Sequence, residues 1–133
     1  MKNKSKENYK EWMKKAEEDE LSANLIVREN GISATACFLF QQMAEKLLKG
    51  LLVFHGKNFP KVHDLLELET LLLKIESDVK NYEKELDLLN TYYIETRYPG
   101  DYPEFTPRDA KEASEAAQKI KEFVLGKIKS EHE

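Results

Sequence analysis

Apolar residues recur at intervals of three and four along most of the chain, which is the periodicity of amphipathic α-helices. In the first stretch, residues 5–29, the side chains of Trp12, Ala16 and Ala23 lie on one face. In the second stretch, residues 33–54, apolar side chains fill about half of the helix circumference. So wide an apolar face is typical of the central helix of a bundle. The remaining side of that helix is polar and carries Gln41, Gln42, Glu45, Lys46 and Lys49.

Turn and capping residues delimit three further helices, predicted over residues 64–75, over residues 81–94 and from Pro107 onwards. Asp64 is the predicted N-cap of the short third helix. Thr106 and Pro107 predict the start of the last helix, because Thr favours the N-cap and Pro the first helical position. The sequence therefore predicts an all-α protein, an antiparallel bundle of four main helices plus one short helix, in a single domain of residues 1–133.

Length, composition and charge restrict the class of protein. The 133 residues (15.5 kDa) suit one domain, and 41% hydrophobic residues are enough for a core. A net charge of −4 disfavours a large basic face for sequence-specific DNA binding. No apolar run approaches a signal peptide or a membrane span. One cysteine and three scattered histidines predict neither a disulfide nor a metal site, so we expect a cytoplasmic protein without metal or membrane segment.

Asp19 interrupts the apolar face of the first helix. An unpaired buried carboxylate costs several kcal/mol, so Asp19 needs a cation or several hydrogen-bond donors. Its candidate partners are Lys46, His63, Arg97 and Arg108. Two interpretations remain open, namely a structural ion pair that fixes helix register and an ion pair that lines a polar ligand site.

Four apolar residues lie where a plain bundle would have polar ones. Phe38 and Leu52 fall on the polar side of the second helix, and Leu21 and Leu25 lie opposite the main apolar face of the first. An apolar strip within a polar face marks a partner surface, unless another helix of the bundle covers it. The pattern favours a homodimer, and it leaves open a protein that acts purely as an interaction module.

The segment of residues 95–106 lacks helical periodicity and carries most of the candidate chemistry. A connection of this length is uncommon in a small bundle and is often functional. Arg97 offers a planar guanidinium for phosphate or carboxylate, and Tyr98 or Tyr102 can stack on a base. The alternative is a loop that its own aromatic side chains pin to the end of the bundle.

His63 precedes the predicted N-cap of the third helix. An imidazole can act as a general base near neutral pH, which makes His63 a candidate catalytic residue. No nucleophile stands at a spacing tied to it, so a structural role is the alternative. Cys37 has no basic neighbour in sequence and is predicted to be a small buried residue.

Four segments follow one another in a distinctive order and spacing over almost the whole chain. They are Trp12-x3-Ala16-x2-Asp19, Phe40-Gln-Gln-Met-Ala-Glu-Lys-Leu-Leu-Lys49, Lys61-Val-His-Asp-Leu65 and Tyr92-Tyr-Ile-Glu-Thr-Arg-Tyr-Pro-Gly100. In that order they resemble the HEPN domain family (higher eukaryotes and prokaryotes nucleotide-binding). The resemblance implies an α-helical bundle, frequently a homodimer, whose usual genomic partner is a minimal nucleotidyltransferase in toxin–antitoxin pairs.

The resemblance also implies a site, from which this chain departs at one position. Many members are RNases that use an Arg-x4-6-His motif at the dimer interface. Here Tyr102 stands where a histidine would follow Arg97, and a tyrosine with an ordinary pKa near ~10 carries protons poorly at neutral pH. The implied function is nucleotide or RNA binding without the usual RNase motif. The resemblance places this binding around Arg97 and Tyr98. From their residue types, Tyr102, Gln42, Lys46 and Asp19 are the further predicted ligand contacts.

Three functional hypotheses follow. The first is a nucleotide- or RNA-binding protein of a nucleotidyltransferase-associated, toxin–antitoxin-like system, with no cofactor besides that ligand. The second is a metal-independent RNase that uses Arg97 with His63 or Tyr102. The third is a pure protein-interaction module.

Overall fold

The computed structural model of the protein describes residues 8–93 and 104–132. Within them the α-helices are α1 (Tyr9–Arg28), α2 (Ser33–Phe54), α3 (Leu65–Leu72), α4 (Glu83–Asn90) and α5 (Pro107–His132). A 3-10 helix, Ser77–Tyr82, precedes α4, and no strand occurs among the described residues. The predicted all-α bundle is confirmed. None of these helices is both long enough and apolar enough to cross a bilayer.

Helix α2 is the centre of the bundle, as its wide apolar face predicts. It packs against α1, α3, α4 and α5, and 14 of its 22 residues are buried. The buried residues include polar ones, since Gln41, Glu45 and Lys49 are 0%, 4% and 6% exposed. The polar side of α2 is therefore not a solvent face. Because neighbours surround the helix, its polar side chains must find partners inside the protein.

Local signals set the ends of the long helices. Asn30 after α1 and Gly56 after α2 have φ angles of 56° and 74°, and in both turns the next amide donates to a carbonyl five residues back. This is the Schellman arrangement that terminates a helix. At the start of α5 the Thr106 hydroxyl accepts from the Asp109 amide (3.2 Å), while the Thr106 amide donates to the Asp109 carboxylate (2.8 Å). The predicted start of the last helix is confirmed.

The start of α3 is capped by its own N-cap residue and by the last residue of α4. The Asp64 carboxylate accepts from the Leu66 amide (2.9 Å), which confirms Asp64 as the N-cap of α3. Asn90, the last residue of α4, accepts from the Leu65 amide (2.9 Å) and donates to Asp64 (3.0 Å). The end of α4 is thereby fixed against the beginning of α3.

The fourth helix is shorter than the pattern over residues 81–94 predicts. Its first two predicted residues belong to the 3-10 helix, and α4 ends at Asn90. The amides of Thr91 and Tyr92 donate to carbonyls three residues back, which tightens the chain and ends the α-helix. Tyr93 therefore lies beyond the turn that follows α4, with its ring stacked on His63, rather than on a helical face.

The structure decides which apolar residues of the expected partner surface are exposed. Leu52 is 1% exposed, so of the two alternatives open for it, coverage by the bundle holds and a partner surface does not. Phe38 is half-buried, with its ring centroid 6.1 Å from that of Tyr93. Leu21 and Leu25 on α1 are 65% and 49% exposed, as their place opposite the main apolar face predicts.

Gly50 permits the close approach of α1 to α2. A Cβ at this position would lie 3.0 Å from Trp12 Cβ and would overlap Met13 Cε. We expect Gly50→Val to lower the free energy of unfolding by about 1–3 kcal/mol, because the added methyl groups force the helices apart. Gly126→Val on α5 is the matched control, because a Cβ at Gly126 meets no atom within 4 Å. Urea denaturation followed by circular dichroism measures both, and equal losses of stability would contradict the close approach.

Candidate functional site

A buried carboxylate, Glu45 on α2, organises the most polar part of the interior. It accepts a hydrogen bond from Lys49 Nζ (2.7 Å) and another from Gln42 Nε2 (3.2 Å). The two carboxylate oxygens also lie 3.0 and 3.2 Å from His63 Nδ1. Lys49 stands one turn further along the same helix, which places its ammonium beside the carboxylate. The charge of Glu45 is thus paired where water is excluded.

The ammonium of Lys49 is covered by two aromatic rings. Nζ lies 5.8 Å from the ring centroid of Trp12 and 5.4 Å from that of Phe59. The two rings meet edge to face, with centroids 5.7 Å apart. Aromatic faces attract a cation that has left water, so these rings compensate part of its desolvation.

His63 is an exposed member of this network, with 49% of its side chain accessible to solvent. Besides the Nδ1 contact with Glu45, its backbone carbonyl accepts from Gln41 Nε2 (3.0 Å). Its ring stacks on Tyr93, with centroids 4.7 Å apart and planes at 13°. Glu45 binds the ring at Nδ1, Tyr93 stacks on its face, and Gln41 binds the backbone carbonyl. The imidazole therefore has a fixed orientation.

A cavity of about 340 Å³ opens beside this imidazole. Its walls are formed by Lys61, Val62, His63, Asp64, Glu67, Asn90 and Tyr93. The volume is in the range of small-ligand sites, and the lining residues include two with aromatic rings, one with a cationic side chain and two with carboxylates. Such a mixture suits a planar ligand that also carries polar groups.

Asp19 pairs with Lys46, one of its four candidate partners, at 2.6 Å. The carboxylate is 15% exposed and the ammonium 25%, and the pair joins α1 to α2. Neither residue lines the cavity beside His63, and Gln42 lies behind it in the network of Glu45. The structural interpretation of the Asp19 ion pair is favoured. The assignment of Asp19, Lys46 and Gln42 as ligand contacts stays a prediction.

Three further predicted site residues, Arg97, Tyr98 and Tyr102, lie outside the described residues. Arg108, another candidate partner of Asp19, stands on α5 with its guanidinium 3.5 Å from Glu112. The structure thus brings His63 to a cavity and pairs Asp19 with Lys46.

Two buried groups near the core are not nucleophiles at neutral pH. Burial, with a smaller contribution from Asp109, raises the pKa of Cys37 to about 12. Burial is also the main cause that raises the pKa of Tyr92 to about 12, with Cys37 and Asp109 adding to it. Both groups stay protonated, so Cys37 is the inert core residue that its sequence context predicts. No group of three metal-binding side chains occurs within residues 8–93 and 104–132.

A second histidine provides an internal comparison. His55, which follows α2, has Nε2 2.9 Å from Glu76, and Lys127 approaches the same carboxylate at 3.5 Å. Its side chain is 19% exposed, against 49% for His63. Ten residues of helix separate Glu45 from His55, a rise of about 15 Å. His55 therefore has a carboxylate partner like that of His63, at a different place in the bundle.

The sequence pattern did not indicate that Gln41, Glu45 and Lys49 form an interior polar network. Their spacing could have indicated it, because residues 41, 45 and 49 repeat every four positions on the helix predicted to be central. A polar stripe on a helix with neighbours all round must be satisfied by other parts of the chain. That reasoning points to a polar side chain such as His63 as the partner.

Comparison with known proteins identifies relatives over nearly the whole chain. The family model described as HEPN domain matches residues 9–129. The crystal structure of TT1696 from Thermus thermophilus is 32% identical, with a TM-score of 0.76 over 90% of this chain and 98% of that chain. The structure of ST0689, an archaeal HEPN homologue, is 33% identical, with a TM-score of 0.72 over 90% of this chain and 97% of that one. Among curated proteins no match was found.

Proposed function

Because the chain belongs to the HEPN domain family, we propose that it is the nucleotide- or RNA-binding component of a nucleotidyltransferase-associated, toxin–antitoxin-like system. The observation that carries the ligand part of this proposal is the half-exposed ring of His63, stacked on Tyr93 at a cavity of about 340 Å³.

Aromatic rings at this cavity suit a nucleobase. His63, Tyr93 and Phe38 form a row in which neighbouring centroids are 4.7 and 6.1 Å apart. Every base has a flat π-face, so stacking on exposed rings binds unpaired nucleotides with little sequence preference. His63 is held in place in this row, because Glu45 binds its ring and Gln41 binds its backbone carbonyl. A base that stacks there does not have to order the site first.

Cationic groups for the phosphate are available beside the rings. Lys61 lines the cavity. Arg97 follows Tyr93 by four residues in the sequence. A guanidinium binds phosphate in a bidentate manner, which supports Arg97, with Tyr98 and Tyr102, as ligand contacts of the same site.

The expected partner is a minimal nucleotidyltransferase. Its support is the family membership, together with the resemblance of residues 92–100 to the segment that family members carry. A nucleotidyltransferase reading frame adjacent to the gene of this protein is the observation that tests the association.

Nucleotide binding is tested by calorimetry with ATP, GTP and AMP. We expect His63→Ala and Arg97→Ala each to weaken binding about tenfold or more, since one removes a stacking surface and the other a phosphate contact. His55→Ala is the matched control, because it removes a carboxylate-paired histidine elsewhere in the bundle. Absence of heat with all three nucleotides, or an equal loss in the His55→Ala protein, would contradict the proposal.

A second candidate function, metal-independent RNA cleavage, is favoured by the Glu45–His63 contact of 3.0 Å. A carboxylate that orients an imidazole is a common device for moving protons. The tyrosine at position 102 in place of the motif histidine argues against this function.

Incubation of the purified protein with RNA in the presence of a metal chelator separates the two functions. We expect no cleavage above the buffer control, because the chain lacks the usual Arg-x4-6-His pair. Cleavage that disappears in both His63→Ala and Arg97→Ala, and persists in His55→Ala, would show that the protein is an RNase and would contradict a function limited to binding.

We also propose a homodimer that forms through the exposed leucines of α1. Leu21 and Leu25 stand one turn apart and are 65% and 49% exposed, which is costly for a lone helix face in water. A two-fold axis places the same strip of each copy against the other, so one patch serves both sides. The dimers frequent in the resembled family support a homodimer as such, and the exposed leucines are what points to α1.

Light scattering at micromolar concentration tests the dimer. We expect the mass of two chains for the native protein and of one chain for Leu21→Glu/Leu25→Glu, because four buried carboxylates would face one another. Leu73→Glu is the control, since Leu73 is 36% exposed and follows α3, away from α1. A native protein with the mass of one chain would remove the proposal.

A further inference from the structure

We propose that Glu45 is a positioning residue that holds His63 in the tautomer with its proton on Nδ1. The Nε2 lone pair of His63 then faces the cavity and accepts a hydrogen bond from the 2′-hydroxyl of a bound ribonucleotide. The identity of the ligand rests on the proposed nucleotide binding, whereas the tautomer is a property of the free protein.

The donors around Glu45 determine which ring nitrogen carries the proton. Lys49 and Gln42 both donate to this carboxylate, at 2.7 and 3.2 Å. A carboxylate that pairs with a buried ammonium only accepts hydrogen bonds. His63 Nδ1 lies 3.0 Å from one of its oxygens, so Nδ1 must be the donor. A neutral imidazole has one N–H, and its proton is then absent from Nε2.

The imidazole cannot exchange the roles of its nitrogens by turning over. A turn of the ring would remove Nδ1 from Glu45, which is 4% exposed and would lose a donor. Stacking on Tyr93 at 13° fixes the ring plane, and the Gln41 amide fixes the backbone. In the described part of the chain no protein group bonds to Nε2, and 49% of the His63 side chain is exposed.

His55 shows that a carboxylate partner alone does not produce this arrangement. Its Nε2, not its Nδ1, faces the carboxylate of Glu76 at 2.9 Å. The same acceptor argument therefore places the proton of His55 on Nε2. Two histidines of one protein are thus expected in opposite tautomers, and only His63 offers a free Nε2 at the cavity described above.

A nitrogen lone pair selects a ligand with a hydrogen to donate. Phosphate oxygens only accept hydrogen bonds, so His63 in this tautomer does not bind phosphate through Nε2. A ribose hydroxyl donates and accepts, and the 2′-hydroxyl is the group that distinguishes RNA from DNA. With a base stacked on the aromatic row and the phosphate near Lys61, the sugar lies between them. The site is therefore expected to favour ribonucleotides over deoxyribonucleotides.

Nitrogen-15 NMR of the ligand-free protein at pH 8 tests the tautomers directly. Long-range proton–nitrogen spectra of the three histidines are assigned with His63→Gln and His55→Gln. We expect the Nδ1–H pattern for His63 and the Nε2–H pattern for His55. An Nε2–H pattern, an imidazolium or the averaged pattern of a free histidine at His63 would overturn the positioning role of Glu45.

Two variants test whether Glu45 is the cause. An amide both donates and accepts, so Glu45→Gln is expected to convert the His63 pattern to a mixture of tautomers. Because that change leaves Lys49 unpaired, Glu45→Gln/Lys49→Met provides a second protein without a buried unpaired charge. Persistence of a pure Nδ1–H pattern in the double variant would show that Glu45 does not position His63.

Calorimetry with AMP and 2′-deoxy-AMP tests the ligand class. We expect AMP to bind about three- to tenfold more tightly, and the difference to vanish in the Glu45→Gln/Lys49→Met protein. Equal affinities in the native protein would overturn the hydroxyl contact. The expected tautomers without binding of either nucleotide would contradict the proposed function and leave the positioning role of Glu45 supported.

Discussion

The burial of one carboxylate in the central helix constrains the rest of this structure. Glu45 is 4% exposed, so its charge must be paired and its lone pairs occupied within the protein. Lys49 supplies the charge and His63 supplies a donor from a connector 18 residues away. Removal of Lys49 from this buried pair would cost about 3–5 kcal/mol. The His63 contact also ties the connector before α3 to α2.

The need to compensate buried charge also links the site to the packing of α1. Lys49 also has to leave water, and the rings of Trp12 and Phe59 take the place of part of its solvent. Trp12 can reach it because the next residue of α2, Gly50, has no side chain to hold α1 away. A glycine in mid-helix is unfavourable by about 1 kcal/mol relative to alanine, so its place here reflects the approach of the two helices. Helix packing and the orientation of His63 therefore depend on one short stretch of α2.

The periodicity and the capping residues predicted much of the fold. Residues 33–54 were predicted as a helix and form α2, Ser33–Phe54, and Thr106 starts α5 as expected. These features depend on hydrogen bonds within one turn and on the repeat of apolar side chains, which are local properties. The fourth helix, predicted over residues 81–94, ends at Asn90, where the next two amides bond three residues back and the Asn90 side chain contacts Asp64 at the start of α3. Local periodicity contains no information about such a neighbour.

Some features of the candidate site likewise follow from the sequence, and others only from the tertiary structure. From residue types and order, the sequence by itself determined that the chain is helical, that Asp19 needs a partner and that His63 is a candidate for chemistry. The tertiary structure decided that Lys46 is the partner of Asp19, that Leu52 is covered, and that Gln41, Glu45 and Lys49 lie inside. The physical reason is that hydrogen-bonding capacity belongs to a residue, whereas burial belongs to its surroundings. A polar side chain in a helix costs nothing in water and requires partners in a core, and residues far apart in the chain decide which of the two it meets.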